Sequence, residues 1–70
     1  MKNIYVHISA LLSKVMEMSE EDMDCVKLSI CEEAEDQGQF FPAFLHLEGF
    51  AKDGTVRDYE SIDSVTKRAS

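Results

Sequence analysis

Residues 18–38 read MSEEDMDCVKLSICEEAEDQG, and the assignment of this stretch decides the fold. Ser19 stands where an N-cap belongs, with Asp22 three residues on, and Met18 and Met23 occupy the flanking positions that staple the start of a helix. Glu20, Glu21 and Asp22 fill a first turn, where free N–H groups and the helix dipole favour negative charge. Gly38 supplies a left-handed stop. At 100° per residue Met23, Val26, Ile30 and Ala34 form one apolar stripe with Lys27 and Cys31 at its margin. The opposite side carries Glu21, Asp24, Glu32, Glu35 and Asp36, with Cys25 and Leu28 among them. These signals predict one acidic helix over 19–38, in which Leu28 is the odd residue.

Working outward, residues 3–18 support two periods. Ile4, Val6, Ile8, Ala10 and Leu12 alternate as in a strand, whereas Ile4, Ile8, Leu11, Leu12, Val15 and Met18 share a helical face. The helix-prone run from Ala10 to Met18 favours a helix, with His7 a partly buried helix residue. It would form an antiparallel helical hairpin with the acidic segment. On the C-terminal side Phe40, Phe41, Pro42 and Phe44 form an aromatic knot around the only proline. Residues 43–51 and 55–62 then flank Lys52-Asp53-Gly54, a β-hairpin signal. A three-residue loop with Gly54 left-handed would pair Phe50 with Val56. It would put Leu45, Leu47 and Tyr59 on the core face and His46, Glu48, Asp58 and Glu60 on the other. The expected fold is α+β, a helical hairpin followed by a β-hairpin (ααββ), in a single domain over 1–70 with a polar, frayed tail at 63–70. The alternative is βαββ with residues 3–8 as a strand.

Seventy residues with 44% hydrophobic and 30% charged content suit a globular chain without low-complexity sequence. A chain this short buries its surface incompletely, so its core supplies only a few kcal/mol, and a partner would help it. The net charge is −7, and residues 19–38, with eight acids and Lys27, account for all of it. Such charge disfavours direct contact with nucleic acid or anionic lipid and favours basic partners. Cys25 and Cys31 are not spaced as a redox or metal pair, and on one helix they point about 240° apart and cannot bridge. Without a disulfide framework, a cleavable signal or a membrane span, a cytoplasmic location is expected.

No catalytic motif is present. The chain lacks a GxSxG elbow and a glycine-rich phosphate loop, and a Cys25 thiolate among carboxylates would be disfavoured. His46, Glu48, Asp58 and Glu60 are the tightest ionisable group, but alternating charge on the outward face of a hairpin is what solvation selects. We therefore expect no enzyme, no metal and no cofactor.

The acidic segment supports two functions. An apolar centre at Cys25 and Leu28, rimmed by Glu21, Asp24, Glu32 and Glu35, reads as a docking face for a larger, basic-surfaced protein, making the chain an adaptor or inhibitor. Alternatively the acids stand in for phosphates: Glu21 to Glu32 spans about 16 Å on a helix, enough to mimic a short run of nucleic-acid backbone. In composition the chain is similar to small acidic inhibitors encoded by phages and mobile elements. A homodimer through the hairpin edge is also expected, because an isolated two-stranded hairpin is marginal.

Overall fold

The computed structural model describes residues 3–65. Its elements run α1 (Ile8–Glu20), β1 (Met23–Cys31), β2 (Ala34–Asp36), β3 (Gln39–Phe41), β4 (Phe44–Ala51) and β5 (Val56–Asp63). The fold is α+β, but with one helix among the described residues it is not ααββ. Strands β1, β4 and β5 form an antiparallel sheet in the order β1-β4-β5, and β2 and β3 form a separate two-stranded ribbon.

The stretch expected to be an acidic helix is instead the end of α1, strand β1 and the ribbon. Ser19 and Glu20 are the last residues of α1 rather than the first of a second helix. The Glu21 N–H donates to the carbonyls of Glu17 and Met18, each at 3.2 Å, and Asp22 turns the chain out in the left-handed region at φ 59°. From Met23 onward period two wins: Val26, Leu28 and Ile30 alternate with Lys27 and Ser29, and two of the three are β-branched. Leu28, misplaced on a helix, is in step on a strand. What fixes the choice is β4, which pairs with β1 from Cys25↔Phe50 to Cys31↔Phe44. Gly38 does not stop a helix. With Gln37 (φ 52°) it makes the two-residue, left-handed turn that joins Asp36 to Gln39 in the β2–β3 ribbon.

The N-terminal region is helical only from Ile8, and neither a helix from residue 3 nor the βαββ strand at 3–8 is formed. His7 is the exposed N-cap, without a side-chain cap bond. Ile4 and Val6 pack against the core, and the Tyr5 carbonyl accepts from the Val65 N–H at 2.7 Å. Ser64 likewise donates to Ala43 at 3.0 Å, so residues 63–65 are tied down rather than frayed; residues 66–70 lie outside the described residues. The aromatic knot does not close, for Phe40 and Phe41 are 58% and 47% exposed on the ribbon.

The β4–β5 hairpin has the longer-loop register. Phe50 pairs with Val56, and Gly54 is left-handed at φ 94°. Leu45, Leu47 and Tyr59 are buried together with Ile62 and with Met18 of α1. Between Glu48↔Asp58 and His46↔Ser61 the register slips by one, so Tyr59 and Glu60 both lie opposite Leu47, with Glu60 at φ 67°. This bulge carries Glu60 away from His46 and toward Lys14 of α1, 3.6 Å away. The helix therefore covers one face of the sheet. Its own outer side, Ile8, Leu12 and Val15, stays exposed.

Candidate functional site

Strand β1 is an edge of the sheet, with β4 on one side and no strand on the other among the described residues. Directly opposed residues of an antiparallel pair share a face. Val26, Leu28 and Ile30 therefore lie on the helix side with Gly49, Leu47 and Leu45, while Cys25, Lys27, Ser29 and Cys31 lie on the outer side with Phe50, Glu48, His46 and Phe44. The helix shields β4 and β5 but leaves β1 open: Val26, Leu28 and Ile30 are 42%, 56% and 39% exposed. Val15 and Val26 line one open cleft of about 1040 Å³, together with Met18, Glu21, Asp24 and Arg57. Within this cleft Val15 of α1 and Val26 of β1 share one open space.

The six residues expected to form a docking face are not gathered on a helix: Asp24, Cys25, Leu28 and Glu32 follow the line of β1, with Cys25 and Leu28 on opposite faces, and Glu21 and Glu35 lie off it. Leu28 is at the middle of β1. Asp24 and Glu32 lie four residues to either side, about 13 Å away at the rise of a strand, so they bracket the apolar centre instead of ringing it. Glu35 is in β2, opposite Phe40 on the ribbon. Cys25 is exposed, and its thiol bonds the Asp24 carboxylate at 3.4 Å. That hydrogen bond, and then the charge of Asp24, push the Cys25 thiol above its ordinary pKa. Glu21 is occupied inside the fold. It accepts the Tyr59 hydroxyl at 2.5 Å and pairs with Arg57 at 3.1 Å, pinning the end of α1 to β5.

Burial of the ring, followed by the Glu21 hydrogen bond and charge, pushes Tyr59 up to about 12. A folded-state pKa above the ordinary tyrosine value near 10 favours the protonated form, so this contribution is complete below pH ~10 and is lost as pH rises toward the folded value. Chemical denaturation should therefore show stability falling across that interval, and Tyr59→Phe should flatten the fall while lowering stability at neutral pH. An equally steep alkaline decline in Tyr59→Phe would remove Tyr59 as its source.

On the outer face His46 Nε2 lies 2.7 Å from Asp58 Oδ1. The Glu60 N–H, followed by His46, holds the Asp58 carboxyl below its usual range. With Glu60 turned away by the bulge, no three His, Cys, Asp or Glu side chains converge on a metal-sized site among the described residues. No described helix is long and apolar enough to cross a membrane.

Sequence reasoning singled out Leu28 but missed Val26 and Ile30, having placed both on a buried helical stripe. Their alternation with Lys27 and Ser29 was the available signal. No family model, curated protein or solved structure matches the chain.

Proposed function

We propose that the chain is a non-catalytic protein-binding module, an adaptor or inhibitor of a larger protein, that works through the edge of β1. The observation that supports this is an edge strand with no strand on its far side among the described residues, with Val26, Leu28 and Ile30 half-exposed and Val26 sharing an open cleft with Val15 of α1. An open edge offers a row of backbone donors and acceptors to an incoming strand, and alternate side chains add apolar contact. Acids at both ends of the strand, Glu20, Asp22 and Asp24 on one side and Glu32, Glu33, Glu35 and Asp36 on the other, select a partner with a basic surface.

The test is capture of a partner on the immobilised chain, followed by affinity measurements with two variants. Leu28→Ala should weaken binding by about 5- to 30-fold, the effect of truncating a central anchor worth 1–2 kcal/mol. Replacing Asp24, Glu32 and Glu35 by their amides should mainly slow association and reduce its salt dependence. Glu21 is kept, because it holds Tyr59 and Arg57. Binding that tolerates Leu28→Ala, collapses in the amide variant and is displaced by DNA or RNA would replace docking with phosphate mimicry.

A further inference from the structure

We propose that the strand seated on the β1 edge is β1 of a second copy, paired antiparallel about a twofold axis at Leu28; this rests on the reading of β1 as a binding edge and makes the second copy, in place of the larger protein, what Leu28 meets. Residues 25–31 read Cys-Val-Lys-Leu-Ser-Ile-Cys, an approximate palindrome about Leu28. In an antiparallel pair centred there, each residue meets the one equidistant from the centre. Leu28 meets Leu28, Val26 meets Ile30, Lys27 meets Ser29 and Cys25 meets Cys31. The apolar pairs all fall on the helix side, and the cysteine pairs fall on the outer side.

Charge supports this register. The whole chain carries −7, yet residues 25–31 carry only Lys27, so two copies meet here without opposing carboxylates. Each Lys27 faces a serine of the other copy and keeps Glu48 opposite it on its own β4. A slip of one residue to a Lys27 centre would set the two lysines face to face. The product is a continuous six-stranded sheet, β5-β4-β1-β1-β4-β5, with both helices on one face. A stable interface covers about 800 Å² per partner, roughly a seventh of the 5601 Å² exposed here. Just beyond the paired segment Asp24 of one copy approaches Glu32 and Glu33 of the other. These acids oppose dimerisation, so added salt strengthens it, and they leave an acidic cluster at each end of the interface for a basic partner.

The register is tested with bismaleimidoethane, which joins thiols on adjacent strands. Opposed Cys25 and Cys31 are within its reach, whereas Cys25–Cys25 and Cys31–Cys31 are about 20 Å apart at 3.3 Å per residue. The native chain should cross-link to a dimer, Cys25→Ser and Cys31→Ser should each fail alone, and an equal mixture of the two should cross-link again. Single variants that cross-link as well as the native chain, or a mixture that does not cross-link, overturn the register.

Sedimentation should give twice the 7.9 kDa chain mass at micromolar concentration, more completely at high salt. Leu28→Glu, which sets two carboxylates at the twofold axis, should sediment as a folded monomer. A native chain at 7.9 kDa throughout overturns self-pairing. If that monomer still captures a basic protein in a Leu28-dependent way, the edge reading survives without the dimer. A dimer that captures no basic protein leaves self-pairing standing and removes the basic-partner reading.

Discussion

Leu47→Ala is expected to lower the thermal midpoint by roughly 10–30 °C, and to leave a measurable unfolded fraction at room temperature. Leu47 has 0% exposure, lies on the central strand β4, and is surrounded by Met18, Leu45, Tyr59 and Ile62. Deleting a fully enclosed leucine costs about 2–5 kcal/mol, the lost transfer energy plus the cavity that remains. A 70-residue domain has only ~4–10 kcal/mol in total. Leu47 is enclosed by side chains from α1, β4 and β5, so a cavity there is not relieved by moving one neighbour. Thermal melts at matched protein concentration check this. A shift of only a degree or two would mean that the core tolerates the cavity and that Leu47 is not its centre.

Gly49→Ala should be the second most damaging exchange, at about 1–3 kcal/mol, although it adds a single methyl group. A Cβ at this position would stand 2.7 Å from Tyr59 Cε2 and 3.0 Å from Met23 Cγ. Met23 is flexible and can yield. The Tyr59 ring cannot, because it lies across β4 at Gly49 to bring its hydroxyl to Glu21. The glycine is thus required by a side chain passing over it, not by a left-handed backbone. Denaturant unfolding of a double-mutant cycle separates these causes: in a Tyr59→Leu background Gly49→Ala should cost much less. An undiminished cost would place the strain in the backbone.

The stretches 43–62 and 18–38 differ in how far they were legible. For β4–β5 the turn and the register beside it are local, but the bulge at Tyr59 and Glu60 is not. Asp53-Gly54 marks the turn, the flanking runs alternate, and the positions of Leu45, Leu47 and Tyr59 follow from the loop length. For residues 18–38 the deciding partner is β4, which lies beyond the ribbon, so no window around Val26 contains it. The helix-start signals at Ser19–Asp22 misled for a definite reason. Carboxylates belong at a helix N-terminus, but Glu17, Glu20 and Glu21 sit at the C-terminal end of α1, where the dipole opposes them and no basic residue occupies the last turn. Gly38 was ambiguous in principle, since a left-handed residue serves a helix stop and a two-residue hairpin turn alike. The one discordant residue, Leu28, carried the correct answer: an apolar side chain amid acids at helical spacing is ordinary at strand spacing. Of the residues expected at the site, the pair taken as its apolar centre is split, with Leu28 on the helix side of β1 and Cys25 on the outer side, because a strand alternates faces where a helix would group them. The flanking acids are present, but a strand spreads them along a line.

The sheet order also sets a schedule for biosynthesis. β4 holds β1 and β5 together, but β1 is translated first and its partner is complete only at Ala51, twenty residues after Cys31. At about 5–20 residues per second a nascent β1 waits roughly 1–4 s with Val26, Leu28 and Ile30 unpaired. The acids on both sides of β1 stand where gatekeeper residues flank an apolar strand, and their charge disfavours association of chains in which β4 has not yet paired.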